Sequence, residues 1–206
     1  MSKIRLSPEE WELVNDPQIL IRKNNILQKA ELLLGQIARV GQQAIKTQLP
    51  AAAASLLQES PKVSKGEHYK GLPYRILDYP RLFGKADVFA CRSFFWWGHG
   101  FTFMIHLKGV YQQRYGPDLL GAAYHASKEE WRIALEGEEW EHDAWVYPAL
   151  HGKPLEEWNN ILEQPPFLKL YHPISLGDWE MLPEKIGETY RLVAGAIGVA
   201  HQLPNR

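Results

Sequence analysis

Residues 86 to 109 constrain the fold more than any other part of the chain, because two alternating segments flank a glycine-rich turn there. Ala86 to Trp97 and Phe101 to Gly109 alternate in side-chain character, and Gly98, His99 and Gly100 separate them. Alternation of this kind is typical of β-strands, and a short connection that contains glycine is typical of a hairpin. The sequence therefore predicts an antiparallel hairpin.

A three-residue connection at Gly98 to Gly100 would place Phe95 opposite Phe103 and Arg92 opposite His106. One face is then apolar and belongs to the core: Cys91, Ser93, Phe95, Trp97, Phe101, Phe103, Ile105 and Leu107. The other, called the mixed face below, carries Ala90, Arg92, Phe94, Trp96, Thr102, Met104, His106 and Lys108.

The mixed face combines aromatic surface with a few polar groups, which is the composition of a small-molecule pocket. We therefore expect Arg92, Trp96, Thr102 and His106 to contact a small polar or anionic ligand. A purely structural interpretation also fits: helices would cover this face, Arg92 would pair with an acidic side chain, and His106 would be a hydrogen-bonded core histidine.

Helices are predicted at both ends of the chain. Ser7, Pro8 and Glu10 form a capping box that begins a helix reaching about Asn15. Asp16 and Pro17 begin a long helix to about Thr47, whose apolar residues recur at spacings of three and four. Further helices are predicted from Ala51 to Gln58 and from Pro183 to about His201.

Three more segments predict strands: Tyr74 to Tyr79, Trp131 to Glu136 and Phe167 to His172. The second of these also has a helical signal, because Ser127 and Glu130 could cap a helix. The predicted fold class is α+β, with an antiparallel sheet of about four or five strands flanked by helices, including a long N-terminal helix and a C-terminal helix.

The domain organisation follows from these elements. A chain of 206 residues fits one domain. We expect residues 1–58 to form a helical arm that packs on the core, residues 59–71 to form a loop, and residues 72–206 to form the α+β core.

Charge and cysteine content narrow the possible partners. The 23 Lys and Arg residues balance 24 Asp and Glu residues, so no net charge attracts the chain to nucleic acid, and we expect no nucleic-acid partner. No apolar run approaches the ~20 residues of a membrane span, and Met1 to Asp16 lacks the apolar centre of a secretory signal. The single cysteine, Cys91, suits a reducing compartment. These features predict a soluble, cytoplasmic protein without a membrane partner.

Motifs for metals and cofactors are absent from the sequence. The eight histidines form no H-x-H or HExxH arrangement, and Glu139 with His142 is a single E-x-x-H without a second copy, so no metal site is predicted. A P-loop, a dinucleotide fingerprint and a G-x-S-x-G elbow are also missing, which leaves the cofactor unassigned.

The acidic and aromatic residues from Glu136 to Trp145 predict either a solvated loop or a lid over the mixed face. As a lid, this segment would bring Trp140 to stack on a ligand, and His142 or Asp143 would move a proton. Trp140 and His142 therefore join the candidate ligand-binding residues.

Three functions are compatible with these features. The first is a binding or accessory protein that holds a small ligand on the mixed face. The second is an enzyme that uses His106 or His142 with Glu139, Glu141 or Asp143, in acid–base or metal-assisted chemistry. The third is a structural or interaction protein that forms a homodimer through its long helix and its C-terminal helix.

Overall fold

The centre of the structure is a six-stranded antiparallel sheet with the strand order β1-β2-β3-β4-β6-β5. The computed structural model describes residues 3–126, 130–162 and 165–202. The strands are β1 (Lys62–Tyr69), β2 (Leu72–Phe83), β3 (Val88–Trp96), β4 (Gly100–Lys108), β5 (Arg132–Ala134) and β6 (Leu168–Ile174). The predicted α+β class is confirmed, with six strands instead of four or five.

Five α-helices and four short 3-10 helices accompany this sheet in the described part of the chain. They are α1 (Pro8–Asn15), α2 (Pro17–Gln48), α3 (Val110–His125), α4 (Leu155–Ile161) and α5 (Leu182–Gln202), with short 3-10 helices at Ala51–Leu57, Ala144–Val146, Leu150–Gly152 and Leu176–Met181. Apolar residues of α2, α3 and α5 pack with Phe103, Ile105 and Leu107 in the main core. The long N-terminal helix and the C-terminal helix are therefore confirmed.

Side-chain caps begin the first two helices where the sequence predicts. The Ser7 hydroxyl accepts from the Glu10 amide at 3.2 Å, and the Glu10 carboxylate accepts from the Ser7 amide at 2.6 Å. The Asp16 carboxylate accepts from the Gln18 amide at 2.9 Å and begins α2. Both capping motifs satisfy amides that have no partner within the helix.

Small residues let α2 and α5 approach each other closely. The ring of Tyr190 on α5 lies against Gly41 of α2, where an added Cβ would come within 2.5 Å of the ring. The buried Tyr190 hydroxyl donates to the carbonyl of Tyr79 at 2.8 Å. This hydrogen bond joins the helix pair to β2.

The prediction of a loop at residues 59–71 is wrong, because β1 occupies Lys62–Tyr69 and pairs with β2. As an edge strand, β1 leaves most of its residues at least partly exposed to water. Charged residues are common on such strands, where they discourage pairing with other chains. That composition also resembles a loop, which explains the error.

The hairpin is present, but its predicted register is wrong. Trp97 to His99 connect the strands, and Phe95 lies opposite Phe101 while Arg92 lies opposite Met104. The turn is closed by a hydrogen bond of 3.0 Å from the His99 amide to the Trp96 carbonyl, with Gly98 at a φ of +79°. Each partner shifts by two residues, so both faces keep the predicted side chains.

The strand alternative for residues 131–136 is the one present, as β5 (Arg132–Ala134). Ser127, the residue proposed to cap a helix there, lies outside the described residues. Cys91 is fully buried on the core face, as predicted, and burial raises the pKa of its thiol.

Candidate ligand-binding site

The mixed face is broader than the hairpin, because β2 and β6 extend it on either side. Asp78 of β2 pairs across the sheet with Arg92, and Lys169 and Tyr171 of β6 lie opposite His106 and Met104. A small apolar cluster within it contains Ile76, Phe94, Trp96, Met104, Phe167 and Tyr171. Residues 136–147, called the cover segment below, lie over this face.

Arg92 is the centre of the polar contacts. Its Nε and one terminal nitrogen donate to the two carboxylate oxygens of Asp78, at 2.7 and 3.2 Å. Its other terminal nitrogen lies 3.2 Å from Nε2 of His142 in the cover segment. The Trp140 ring centroid is 6.0 Å from the guanidinium carbon. The expected acidic partner of Arg92 is therefore present, and so is its contact with the predicted lid.

His106 lies at the end of the mixed face nearest Lys108. Its Nε2 is 3.2 Å from Oε1 of Glu139, although the two atoms are not aligned as a hydrogen bond. Oε2 of Glu139 accepts from Lys108 at 2.8 Å, and the Trp140 ring packs edge-on against the imidazole. Burial, followed by the positive charges of Lys169, Arg92 and Lys108, lowers the pKa of His106 to about 3. The imidazole is therefore neutral near pH 7.

Lys169 hydrogen-bonds the cover segment to the sheet. Its Nζ donates to the carbonyls of Glu139 and Glu141, at 3.0 and 2.7 Å, and the Tyr171 hydroxyl donates to the Glu141 carbonyl at 3.0 Å. Lys169 is only 2 % exposed. Burial and the nearby charge of Arg92 lower the pKa of its ammonium to about 7.

The side chain of Glu141 adds a second set of contacts. The Tyr69 hydroxyl donates to Oε1, which also accepts from the amides of His142 and Asp143, and Lys70 pairs with Oε2 at 3.1 Å. Burial raises the pKa of Glu141, but the hydrogen bonds from Tyr69, Lys70 and the two amides outweigh it and bring the pKa to about 2. The carboxylate is therefore ionised across the physiological pH range.

Three buried nitrogens of the hairpin and the cover segment have no hydrogen-bond partner within the described part of the chain: Trp96 Nε1, His106 Nε2 and His142 Nδ1. Burial and the charges of Arg92 and Lys169 lower the pKa of His142 to about 3, so its ring is neutral. A guanidinium can only donate, so His142 Nε2 must accept from Arg92 and the ring proton must be on Nδ1. Trp96 Nε1 is always a donor. At least two buried donors therefore lack an acceptor.

The structure brings four of the six predicted residues into one network: Arg92, His106, Trp140 and His142. Trp96 lies at the far end of the same face and connects to His142 through the Tyr69 ring, which is 5.1 Å from Trp96 and 5.4 Å from His142 between centroids. Thr102 is half-buried opposite Phe94, outside the polar network.

Several residues of the network were not predicted to belong to it: Tyr69, Asp78, Lys169 and Tyr171. Asp78, Lys169 and Tyr171 follow the alternation of their strands, with Leu77 and Leu170 facing the core. The alternation in β2 and β6 would therefore have predicted these three residues, provided that both strands were placed beside the hairpin. Tyr69 gave no such signal, because its segment was predicted as a loop.

Comparison of the chain with protein-family models, with curated proteins and with solved structures found no match. Among the described residues, no group of three or more His, Cys, Asp or Glu side chains is arranged to hold a metal ion. A search of the described helices likewise found none with the length and apolarity that crossing a membrane requires. The fold and the covered polar face are thus the features from which a function can be argued.

Proposed function

We propose that this protein binds a small polar or anionic ligand on the mixed face, beneath the cover segment. The observation that carries this proposal is the set of buried donors without acceptors, Trp96 Nε1 and His142 Nδ1, together with His106 Nε2. An unsatisfied buried polar group costs about 1–3 kcal/mol, so native proteins keep few of them. A ligand with an oxygen acceptor beside His142 would satisfy Nδ1, and a longer ligand would also reach Trp96 or His106, which lie toward opposite ends of the mixed face.

The cover segment is attached in a way that suits ligand entry. Of residues 136–147, only Ala144 is fully buried, and the attachment is chiefly the polar contacts of Lys169, Tyr171 and Tyr69. Opening the segment would exchange these hydrogen bonds for bonds to water or to a ligand while exposing little apolar surface. A ligand carboxylate or carbonyl oxygen would take the place of the Glu139 and Glu141 carbonyls on Lys169.

The kind of ligand follows from the groups that would contact it. His142 and Trp96 donate as neutral groups, and the Arg92 fork is already occupied by Asp78. A compound that carries one carboxylate or several carbonyl or hydroxyl oxygens therefore suits the site better than a multiply charged phosphate. The aromatic rings of Tyr69 and Phe94 would pack against its apolar part.

An enzyme that uses a histidine as general base is the weaker alternative. A base works best when its pKa is near the working pH, whereas the pKa values of His106 and His142 are both lowered to about 3. Lys169, with its pKa of about 7, is better suited to accept a proton. We also propose a cytoplasmic location, because the single cysteine, Cys91, suits a reducing compartment.

A thermal-shift screen of small carboxylates, sugars and amides tests the proposed function. A bound ligand at 100 times its Kd should stabilise the wild type by about 2.7 kcal/mol. His142→Phe keeps a ring but removes the Nδ1 donor, and should abolish the shift. His68→Phe makes the same change on the exposed side of β1 and should leave the shift intact. The proposal is wrong if no compound stabilises the wild type, or if His142→Phe responds as the wild type does.

A further inference from the structure

The N-terminal part of the chain, residues 3–26, extends from the core without burying any residue. We call it the arm; it comprises α1 and the first ten residues of α2. Its large apolar side chains are largely exposed: Ile4, Leu6, Trp11, Leu13, Val14, Ile19, Leu20, Ile21 and Ile26. Trp11, the largest of them, is 57 % exposed. An apolar surface of this size on a preformed helix marks an interaction site.

The apolar stripe of α2 continues past the edge of the core into the arm. Leu27 and Leu34 are buried against α5 and the sheet, and Leu20, seven residues before Leu27, lies on the same line of the helix. Leu27 is 2 % exposed, whereas Leu20 is 60 % exposed. The same helix face is thus uncovered over the first ten residues of α2 and covered from Leu27 onward.

Charge along the arm is divided between its two helices. Glu9 and Glu12 make α1 acidic, whereas Arg22 in the arm and Lys29, three residues beyond it, are basic positions on α2. Lys3 and Arg5, before α1, are also basic. None of Glu9, Glu12, Arg22 and Lys29 forms an ion pair within residues 3–126, 130–162 and 165–202. α1 and the start of α2 therefore carry charges of opposite sign that form no ion pair within the described part of the chain.

We propose that the arm pairs with the arm of a second copy of this chain, so that α1 of each protomer packs along the first half of α2 of the other. A two-fold arrangement would use every complementary contact twice, as isologous interfaces do. The exposed apolar side chains of the two arms would supply the hydrophobic part of such an interface. A second copy of the chain has the same acidic α1 and the same basic residues on α2, so each charged surface would meet its opposite.

An anionic membrane is a poorer occupant, because the acidic residues Glu9, Glu10, Glu12 and Asp16 balance the basic residues of the arm and leave no net positive charge to attract it. A helix that lies on such a surface carries Lys and Arg on its polar face instead. The alternation of acidic α1 and basic α2 is what pairing between two identical arms requires.

Light scattering on the purified full chain tests the oligomeric state. At about 50 μM, above the micromolar Kd that a standard interface provides, we expect a mass of twice the 23.7 kDa of one chain. Leu13→Glu/Leu20→Glu should give the single-chain mass with an unchanged circular-dichroism spectrum, since both side chains are already exposed. Val199→Glu, an exposed apolar position on α5, serves as the matched control and should stay dimeric.

Charge reversal identifies the partner surface. Glu9→Lys/Glu12→Lys and Arg22→Glu/Lys29→Glu should each weaken the dimer at least tenfold, and an equimolar mixture of the two variants should recover dimer as a heterodimer. A wild-type mass of one chain at 50 μM overturns the proposal, and so does a Leu13→Glu/Leu20→Glu variant that remains dimeric. Failure of the mixture to associate would exclude the pairing of α1 with α2, and binding of a monomer to anionic vesicles would identify a membrane surface as the occupant instead.

Discussion

Replacing Arg92 by methionine would leave two groups without their partner at once. The Asp78 carboxylate would lose two hydrogen bonds, of 2.7 and 3.2 Å, and His142 Nε2 would lose its donor at 3.2 Å. Methionine fills much of the volume of the arginine stem, so the cavity term is small. The predicted loss of stability therefore comes from the unpaired buried charge.

The magnitude follows from the exposure of the pair. Removing one partner of a buried ion pair costs about 3–5 kcal/mol. The Arg92 and Asp78 side chains are 15 % and 10 % exposed, so water reaches them to a small extent. We therefore expect a loss near the lower end, about 3 kcal/mol, for Arg92→Met and a similar loss for Asp78→Leu.

The double variant separates the interaction energy between Arg92 and Asp78 from the effect of each single replacement. Arg92→Met/Asp78→Leu removes both charges, and apolar replacement of a buried pair is often neutral or stabilising. We expect it to cost under about 1 kcal/mol, which gives a coupling energy of several kcal/mol between the two positions. Urea unfolding of the four proteins at pH 7 and one fixed protein concentration measures the cycle, because the stability of a dimer depends on concentration. If the double variant loses as much as the two single variants combined, the pair does not set the stability of the mixed face.

Two further predictions concern the helix contact and pH. Gly41→Ala should destabilise the protein by about 1–3 kcal/mol in urea unfolding, because the new Cβ meets the Tyr190 ring. Gly35→Ala on the same helix is the control; its Cβ meets nothing within 4 Å, so it should be neutral or stabilising. Equal effects of the two substitutions would contradict the close contact between Gly41 and Tyr190. The pKa values of His106 and His142 are lowered from 6.5 to about 3, so below pH 6.5 the unfolded chain binds protons that the folded chain does not. Their contribution to stability is present above pH 6.5 and should fall by up to ~1.4 kcal/mol per pH unit for each histidine as the pH drops toward 3. His106→Gln should flatten that slope in unfolding measured from pH 7 to pH 5, and an unchanged slope would mean that His106 is protonated in the folded state.

Local signals were sufficient where a cap or an alternation lies within one short segment. The capping box at Ser7 and the aspartate cap at Asp16 determine where α1 and α2 begin, and both starts were predicted. The two faces of the hairpin were also predicted, because membership of a face depends only on alternation. The register between β3 and β4 was not predicted correctly, since it depends on which residue of the turn adopts a positive φ.

Helix α3 shows what local signals cannot provide. Gly116, Pro117 and Gly121 lie within it and argue against a helix in isolation. The residue before it, Gly109, offers no side-chain cap, and the amide of its first residue, Val110, donates instead to Asp87, 23 residues earlier in the chain. Asp87 reaches the Val110 amide only once the sheet has formed, so the sequence of residues 110–125 alone does not predict this cap.

The mixed face departs from the usual relation between a strand and its core, because charged and polar side chains are buried on it beside aromatic rings. Arg92, Lys169 and Glu141 each have an opposite charge or a carbonyl beside them, so most of the cost of burying them is offset. Trp96, His106 and His142 keep an unpartnered nitrogen in the same region. Within the described part of the chain, buried polar atoms without a partner also occur on the core side, at Ser93 Oγ and Trp131 Nε1, so such an atom alone does not mark a site. His142 Nδ1 differs from them because its ring contacts Arg92 and belongs to a segment held to the sheet chiefly by polar contacts. A ligand oxygen that accepted from Nδ1 would stabilise the fold where the described residues offer no acceptor.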